Sequence, residues 1–234
     1  MSANLKQGKR QGVGTIIVAA GQGERMGGAE KLLAPLGDKP LLLQTISPFQ
    51  KCRLVDRVVV VVSGEKELQC RQLLIGEEWS KVSNICLGGK RRQDSVAAGL
   101  VQLDDYDWII VHDGARPLVT TNLIERGLAA ARETGAAVAA VPVKDTIKLA
   151  GDDRIVHQTP PRQNLWAIQT PQVFRIDIIT KAYQRANEDV TDDASLVERS
   201  GYKVKLYMGA YDNIKITTPD DLTLAGMLWP RYER

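Results

Sequence analysis

The sequence predicts an α/β protein built on a doubly wound, mostly parallel sheet. Short apolar or β-branched runs alternate along most of the chain with segments whose apolar residues recur at helical spacing, and the links between them are short. One of these runs, Arg57–Val62, is apolar without polar alternation, as is typical of a central parallel strand that helices cover on both faces. A protruding β-hairpin arm is the one predicted interruption of this pattern.

The composition bounds the class of protein. The 234 residues are 44% hydrophobic, which is enough for a full core, and 31 basic against 28 acidic residues leave a net charge of only +3. This balance argues against a nucleic-acid or membrane surface as partner. The three cysteines are odd in number and widely spaced, which favours a reducing, cytoplasmic location. We expect residues 1–12 to be a disordered leader and residues 13–234 to form one domain.

The first strand and its loop organise the prediction. Thr15–Ala19 predicts a buried strand, and the chain then enters a glycine loop with Gly21 and Gly23. Glycine allows a tight turn and lets a phosphate approach backbone N–H groups. Arg25 and Lys31 add positive charge for phosphate oxygens. The stretch therefore predicts a polyphosphate cradle after the first strand.

Two better-known glycine loops fit this stretch less well. A P-loop needs a hydroxyl residue after its lysine, and Leu32 stands there. A dinucleotide fingerprint needs a third glycine where Met26 stands, and the next strand ends at Ser63-Gly64 without the acid that would bind a ribose. A tight turn without a ligand is the remaining alternative.

The elements that follow the loop are predicted from periodicity and turn residues. In the first half of the chain we predict helices over 40–49, 65–75 and from Gly88–Ser95 through Leu103, with strands over 57–62, 82–87 and 108–111. In the second half we predict helices over 120–133, 176–186, 194–199 and from Thr218 onward, with strands over 136–141, 203–207 and 213–217.

Two helix starts carry capping signals. Thr120 or Thr121 is predicted to cap the helix over 120–133. The last helix begins with Thr218, followed by Pro219 at the first helical position and two acids in the first turn.

The arm spans about residues 143–168. Thr146–Leu149 and Arg154–Thr159 predict two extended segments around the turn Gly151-Asp152-Asp153. A hairpin that protrudes rarely buries enough apolar area to be stable alone. We therefore predict that it packs on a second subunit, and a hairpin folded back on its own domain is the alternative.

Several charged residues follow predicted strands, where open α/β sheets bind their ligands. Cations combined with a pair of aspartates suit a metal–triphosphate, because Mg²⁺ is bound by one or two carboxylates together with substrate phosphates. Asp113 is interpreted as a metal carboxylate rather than a turn cap, and His112 as a buried structural histidine rather than a base. The residues after strand ends are Arg25, Lys31, Arg92, Ser95, Asp113 and Arg116, while Asp212 and Lys215 flank or lie in the predicted strand over 213–217.

From Thr15 to about Trp229, the chain resembles the bacterial 2-C-methyl-D-erythritol 4-phosphate cytidylyltransferase family, whose fold is Rossmann-like. The resemblance rests on pieces that follow one another in the family's order. They are Ala19–Met26, Gly88-Gly89 with Arg92 and Ser95-Val96, His112–Pro117, Pro142–Thr146, Thr170-Pro171-Gln172, Thr191–Ser195 and Asp212–Thr217.

The resemblance implies a role for each matching position. The glycine loop, Arg25 and Lys31 are expected to bind the CTP triphosphate, and Arg25, Lys31 and Lys215 to act in catalysis. Asp113 and Asp212 are expected to bind Mg²⁺ or another divalent cation. Ala19, Ala20, Gly21, Gly23, Gly89, Arg92 and Ser95 are expected to bind the nucleotide, with Ala19, Ala20, Gly89 and Ser95 around the cytosine. Asp113, Arg116, Thr170 and Lys215, with Thr146 and Arg162 from the arm of a partner subunit, are expected to bind the sugar phosphate.

The chain departs from the family pattern at three positions. Glu30 stands before Lys31 where the family usually has proline, Gly114 replaces a common alanine, and Lys90 stands where some relatives have an acid.

The implied reaction transfers CMP from CTP to the sugar-alcohol phosphate and releases pyrophosphate. One alternative is a ribitol 5-phosphate cytidylyltransferase, which often has two glycines where this chain has Ala19-Ala20-Gly21. Another is a catalytically silent nucleotide-binding module, against which the presence of Lys31, Asp113, Arg116 and Lys215 argues.

Overall fold

The computed structural model describes residues 12–21, 31–75, 77–186 and 188–232, and only the backbone of Lys31 and Glu77. Gly23 and Arg25 lie outside the described residues, as does the predicted leader except for Gly12. In the described part of the chain, no helix is long and apolar enough to cross a bilayer.

A central sheet of seven strands organises the described residues, in the order β11-β7-β10-β6-β1-β4-β5. Strand β10 runs antiparallel to both its neighbours, whereas the other pairs are parallel. Two short hairpins, β2–β3 and β8–β9, lie outside this sheet. The strands are β1 (Val13–Ala19), β2 (Pro35–Leu36), β3 (Lys39–Pro40), β4 (Arg57–Val62), β5 (Val82–Leu87), β6 (Trp108–Asp113), β7 (Ala136–Pro142), β8 (Leu149–Ala150), β9 (Val156–Gln158), β10 (Trp166–Arg175) and β11 (Lys205–Met208).

Helices cover the sheet, and short 3₁₀ turns stand at Lys31–Leu33, Gly64–Lys66, Glu77–Trp79, Arg162–Asn164 and Trp229–Arg231. One buried cluster contains residues of α1, α4 and α7, and a second contains residues of α3, α5 and α6. The helices are α1 (Leu41–Lys51), α2 (Glu67–Leu73), α3 (Arg92–Val101), α4 (Thr121–Thr134), α5 (Ile176–Gln184), α6 (Asp193–Arg199) and α7 (Pro219–Leu228).

Strand β4 confirms the prediction of a central strand covered on both faces. Val58, Val60 and Val62 belong to the first buried cluster, whereas Val59 and Val61 belong to the second. Because successive side chains of a strand point to opposite faces, the continuous valine run supplies both layers of the core. The predicted doubly wound α/β fold is therefore confirmed.

The direction of the chain reverses at β1. From β1 the chain proceeds through β4 to β5 on one side, and then returns to β6 on the other side of β1. Such a switch point opens a crevice at the carboxyl ends of the two central strands, which is where open α/β sheets bind ligands.

The predicted helix signals at two N-termini are confirmed. The Thr120 hydroxyl accepts a hydrogen bond from the Leu123 N–H and caps α4. Thr218 and Asp221 form a capping box at α7, with Pro219 at the start of the helix. Gly135 follows the last residue of α4 and caps the helix, with a φ of 85° in the left-handed region that glycine adopts without strain.

Strand β10 is the largest element that the sequence pattern does not predict. It contains Pro171, which cannot donate to a sheet ladder and therefore argues against a central strand in a pattern analysis. The pairing of β10 with β7 shifts register between Ile168 and Gln172, on either side of that proline.

The predicted strand over 213–217 is wrong. This segment is irregular and binds the rest of the chain through isolated contacts: the Ile216 N–H donates to the Ala115 carbonyl, and the Asn213 carbonyl accepts from Arg116. Its alternation of polar and apolar residues is not matched by its burial, because the fully buried residues are Asn213 and Ile216, three positions apart.

The arm is a hairpin, as predicted, with shorter strands than the sequence indicates. Leu149–Ala150 pairs with Val156–Gln158 in an antiparallel ladder. Arg154 adopts a φ of 61° in the turn. Leu149, Ile155 and Val156 are each more than half exposed, so this hairpin does not fold back to bury its apolar side chains on its own domain.

Candidate active site

The first cavity lies at the carboxyl ends of β1 and β6 and has a volume of about 220 Å³. Its lining includes the predicted nucleotide-binding residues Ala19, Ala20, Gly21, Gly89, Arg92 and Ser95. Leu32 adds an apolar side chain, and Lys90 and Arg91 add positive charge at the start of α3. The cavity therefore combines a small-residue floor with a cationic wall.

Gly88 fixes the shape of this floor. A Cβ at Gly88 would lie 2.5 Å from the Ala20 Cβ and 2.5 Å from the Ser95 Oγ. The Gly88 N–H donates to the Val62 carbonyl at 2.8 Å, so the backbone that brings it there is itself held by β4. Only glycine allows the loop after β5 to approach the end of β1 this closely.

The second cavity, of about 380 Å³, adjoins the first. Arg92, Asp113 and Lys215 line both cavities, and we call these three residues the shared wall. The second cavity also contains the predicted residues Arg116 and Thr170, together with polar residues that the sequence analysis did not assign to the site. These are Gln169, Gln172, Thr191, Asp192, Ser195 and Glu198.

Asp113 ends β6 and is surrounded by cations. Its carboxylate lies 3.0 Å from the Lys215 Nζ, 3.3 Å from the Arg92 Nε and 3.5 Å from the Arg116 Nε. Burial opposes ionisation of this carboxyl group, but the charges of Arg92, Lys215 and Arg116 outweigh it and hold the pKa of Asp113 well below its ordinary value. The group is therefore a carboxylate at neutral pH and does not serve as a general acid.

Arg116 is held from two directions. Its Nη1 donates to the Asn213 carbonyl at 2.8 Å, while its Nε faces Asp113. Burial lowers the pKa of Arg116, although the nearby Asp113 carboxylate opposes this effect. A guanidinium stays charged at neutral pH in proteins, so the second cavity contains a fixed positive charge at its inner end.

A buried hydrogen-bond chain supports Asp113 from behind. The Asp113 N–H donates to the Thr170 Oγ1 at 3.0 Å, and the same hydroxyl lies 3.0 Å from the His112 Nδ1. The His112 Nε2 lies 3.1 Å from the Arg116 carbonyl, which can only accept, so Nε2 carries the proton. His112 is fully buried, as predicted, and its ring links the Thr170 hydroxyl to the Arg116 carbonyl.

Asn213 completes this support and was not singled out from the sequence. Its buried side-chain amide donates to the Thr170 carbonyl at 2.8 Å, and its own carbonyl accepts from Arg116. It therefore ties the segment that carries Lys215 to β10. Asn213 belongs to the Asp212–Thr217 piece that carries the family resemblance, and this membership was the available signal for it. The resemblance alone does not predict that its side chain is buried.

Three of the predicted substrate and metal residues lie elsewhere. Thr146 and Arg162 are exposed on the arm, where the Arg162 Nη1 donates to the Lys144 carbonyl, and neither lines the two cavities. Asp212 also lines neither cavity, and its carboxylate accepts a hydrogen bond from Tyr232. The predicted Gly23 and Arg25, and the side chain of Lys31, lie outside the described residues.

The donors available for a metal ion are few. Among the described residues there is no group of three His, Cys, Asp or Glu side chains that could hold one. Asp113 alone presents a carboxylate to both cavities at the shared wall. A single carboxylate fits Mg²⁺ when substrate phosphates and water supply the other oxygens, so the residues present fit a substrate-bound Mg²⁺ and not a protein-caged metal.

These features define a class. A doubly wound sheet, a glycine-lined cavity at its switch point and a carboxylate set among cations define a nucleotidyltransferase. The family model for 2-C-methyl-D-erythritol 4-phosphate cytidylyltransferase (IspD) matches residues 13–230. The chain belongs to this family.

Relatives and solved structures agree with this assignment. The chain is 50% identical over 216 residues to the 2-C-methyl-D-erythritol 4-phosphate cytidylyltransferase of Dehalococcoides mccartyi, covering 92% of this chain and 95% of that protein. It is 44% identical to the enzyme of the same name from Alkaliphilus metalliredigens, with 91% and 90% covered. The crystal structure of the 4-diphosphocytidyl-2C-methyl-D-erythritol synthase from Anaerococcus prevotii superposes with a TM-score of 0.83 at 30% identity, covering 94% and 97%.

Proposed function

We propose that this chain transfers CMP from CTP to 2-C-methyl-D-erythritol 4-phosphate, forming 4-diphosphocytidyl-2-C-methyl-D-erythritol and pyrophosphate. The observation that carries the proposal is the shared wall, because Arg92, Asp113 and Lys215 line both cavities. A reaction that joins two phosphate compounds requires two adjoining sites with positive charge at their junction. Membership of the family supports the identity of the two substrates.

The first cavity is assigned to CTP. Its small residues Ala19, Ala20, Gly21 and Gly89 bring backbone groups close to a base, and membership of the cytidylyltransferase family supports cytosine as that base. The glycine loop with Gly23, Arg25 and Lys31 is assigned to the triphosphate, because these residues follow directly on β1. Ser95 and Arg92 complete the nucleotide-binding set.

The second cavity is assigned to the sugar phosphate. Arg116, Thr170 and Lys215 surround its inner end, where a phosphate finds two cations. The carboxylates of Asp192 and Glu198 and the amides of Gln169 and Gln172 lie on its other walls and suit a row of hydroxyl groups. A phosphate bound at the inner end lies next to the first cavity.

The chemical step then needs placement and charge. A phosphate oxygen of the acceptor attacks the α-phosphorus of CTP in line, a new P–O bond forms, and the bond to pyrophosphate breaks. A phosphate monoester is already largely dianionic at neutral pH, so no general base is required. Lys215, Lys31 and Arg25 are assigned to stabilise the charge that gathers on the transferring phosphoryl group.

We also assign a Mg²⁺ requirement. Asp113 would hold the ion together with phosphate oxygens, and Asp212 is the second candidate carboxylate from the sequence. When bound, Mg²⁺ neutralises charge on the triphosphate. The chain's own contribution is to keep Asp113 ionised and fixed, through the surrounding cations and the bond to Thr170.

The arm is assigned to a homodimer. Leu149, Ile155 and Val156 expose apolar surface that a second copy of the chain would cover. Thr146 and Arg162 lie on the same exposed segment, which supports a role in the partner's second cavity rather than in their own. We place the protein in the cytoplasm, which the odd number and wide spacing of its cysteines support.

Pyrophosphate release tests the proposal. CTP and Mg²⁺ are incubated with methylerythritol phosphate and, in parallel, with ribitol 5-phosphate. Turnover with the first acceptor alone is expected. Turnover with ribitol phosphate alone would assign the alternative acceptor, and CTP binding without any pyrophosphate release would indicate a silent nucleotide-binding module.

A further inference from the structure

Arg92 is shared between two buried carboxylates. Its Nη1 donates to the Asp193 Oδ2 at 2.8 Å, and its Nε donates to the Asp113 Oδ1 at 3.3 Å. Among the described residues, no hydrogen bond is made by its Nη2. The shorter of its two ion pairs is therefore the one with Asp193. Its Nη2 remains available to a ligand, on a residue that lines both cavities.

Asp193 is not explained as a helix cap. The cap of α6 is its neighbour Asp192, whose Oδ1 accepts from the Ser195 N–H at 3.2 Å. The side chain of Asp193 is only 1% exposed, and burying a carboxylate is costly unless it is paired. Its described partners are the Arg92 guanidinium and the Tyr183 hydroxyl, which donates to the Oδ1 at 2.5 Å.

Tyr183 fixes Asp193 as an acceptor. Burial, and then the charge of Asp193, raise the pKa of Tyr183 far above its ordinary value, so the hydroxyl remains a donor. One Asp193 oxygen is thereby occupied by Tyr183 on α5, and the other is directed at Arg92. The pair of bonds sets the position of the guanidinium from outside the two cavities.

We propose that Asp193 is a positioning residue for the cytidylyl transfer, which holds the Arg92 guanidinium across the shared wall with its Nη2 directed to a substrate phosphate. Without Asp193, Arg92 turns towards Asp113, the remaining carboxylate beside it. It then competes with Lys215 for that carboxylate and withdraws its charge from the phosphates. This inference rests on the proposed function, because it concerns the same two cavities.

A double-mutant cycle tests the inference. We measure kcat and KM for both substrates in the wild type, D193N, R92Q and the double variant. Misplacement of a phosphate-binding group by about 1 Å can cost about 10²-fold in rate, so D193N is expected to lower kcat/KM by roughly 10- to 100-fold. In the R92Q background, D193N is expected to add less than about threefold, because its effect passes through Arg92.

Thermal unfolding distinguishes positioning from simple structural support. R92Q leaves the Asp193 carboxylate buried without its cation, so D193N in that background removes a buried charge. The double variant is therefore expected to melt no lower than R92Q alone. An equal loss of kcat/KM from D193N in both backgrounds, or a lower melting temperature in both, would overturn the inference.

The neighbouring ion pair supplies a matched control. Arg91 pairs with Asp189 at 2.8 Å and joins the same helix to the same segment, but Asp189 is exposed and lines neither cavity. Arg91 itself lines the first cavity, where Asp94 at 2.6 Å still holds it when Asp189 is replaced. D189N is expected to keep kcat/KM within about twofold of the wild type, since exposed ion pairs contribute little. A loss of kcat/KM in D189N as large as in D193N would overturn the inference, because the effect would then come from any link between α3 and this segment and not from the position of Arg92.

A second variant covers the case in which D193N does not fold. Y183F removes only the hydroxyl that holds Asp193 and is expected to lower kcat/KM several-fold, with no further effect in the R92Q background. Wild-type kcat/KM for Y183F would overturn the inference. If the wild type itself shows no turnover, the proposed function has failed, and the same cycle is read from the Kd of CTP, because Arg92 also lines the first cavity.

Discussion

The Thr170 hydroxyl donates a hydrogen bond to the His112 Nδ1 across 3.0 Å and joins β10 to β6 behind the active site. The direction follows from the other end of the ring, because the Arg116 carbonyl accepts from Nε2. A protonated imidazole would turn Nδ1 into a second donor to the Thr170 hydroxyl, whose own hydrogen would then lose its acceptor. Together with the full burial of His112, the arrangement therefore favours the neutral imidazole.

The first prediction concerns stability against pH. Burial lowers the pKa of His112 to about 4, below the value of about 6.5 in an unfolded chain. The unfolded state therefore binds the proton first, so the stability that His112 contributes is present above pH 6.5 and is lost as the pH falls towards 4. H112Q is expected to remove this part of the pH dependence, on the order of 2–3 kcal/mol in the free energy of unfolding.

Urea unfolding at several pH values between 4 and 7.5 measures this difference. The control is H157Q, because His157 is the other histidine of the chain and is exposed on the arm. H157Q should retain the wild-type slope. If H112Q also retains it, the neutral buried histidine is not the source of the pH dependence.

The second prediction concerns Lys215. Its Nζ lies 3.0 Å from Asp113 at the shared wall, and we assign it to the transferring phosphoryl group. K215A is expected to lower kcat by on the order of 10²-fold, as the loss of an electrostatic donor does elsewhere. Steady-state pyrophosphate release provides the measurement.

Lys205 provides the matched lysine for this experiment. It pairs with Glu133 on the edge of the sheet and lines neither cavity. K205A should therefore retain the wild-type kcat. A K215A enzyme within a few-fold of the wild type would remove Lys215 from the catalytic set.

The third prediction concerns the approach of two loops at Gly88. The Cβ of G88A would meet Ala20 and Ser95 at 2.5 Å, so one of the loops must move. Overpacking of this kind costs about 1–3 kcal/mol, and we expect the KM for CTP to rise roughly tenfold or more. The control is G226A on α7, where a Cβ meets no atom within 4 Å. Equal KM values for the two variants would show that the floor of the first cavity tolerates movement.

The fourth prediction separates the two candidate metal carboxylates. Asp113 lines both cavities, whereas the carboxylate of Asp212 lines neither and accepts a hydrogen bond from Tyr232. D113N is expected to raise the Mg²⁺ concentration needed for half-maximal activity by at least about tenfold, and D212N by much less, because Mg²⁺ needs an anionic oxygen. Titration of Mg²⁺ at saturating CTP measures both values. A larger shift for D212N would move the metal site to that residue.

The fifth prediction concerns the arm. Ile155 and Val156 are exposed apolar residues on a hairpin that is too small to be stable alone. Replacing both by aspartate is expected to convert a dimer to a monomer in sedimentation velocity and to abolish turnover, because Thr146 and Arg162 would no longer reach a partner. L68D, at an exposed leucine of α2, should remain dimeric and active. A wild type that is monomeric and fully active would contradict the assignment of the arm.

Most of the fold could be predicted because its strands are local patterns. The valine run of β4 and the caps of α4 and α7 depend on residues that lie close together in sequence. Strand β10 could not be predicted in this way. Its residue Gln172 is buried because its side chain makes hydrogen bonds with Asp192 and the Ala194 N–H, which lie about 20 positions away in the chain. The segment 213–217 misled for the converse reason: its residues alternate as in a strand, but Asn213 and Ile216 are buried through isolated contacts to Thr170 and Ala115 and not through strand pairing.

The site divides in the same way. The rule that ligands lie beyond strand ends brought Asp113, Arg92, Ser95 and Lys215 to attention, and the structure brings these residues to the two cavities. Asp193 escaped because it follows a residue that caps a helix, and an aspartate pair at a helix start has the same pattern whether one or both serve the cap. Which of the two turns inward depends on α3, about 100 positions away in the chain, and that contact has no local signature.

The shared wall also has a consequence for inhibitor design. Because Arg92, Asp113 and Lys215 border both cavities, a single compound can occupy the two sites without crossing bulk solvent. Such a bisubstrate compound loses its overall translational and rotational freedom once, where two separate ligands lose it twice. We therefore expect a cytidine tethered through a phosphate mimic to a short polyol to bind more tightly than either fragment alone.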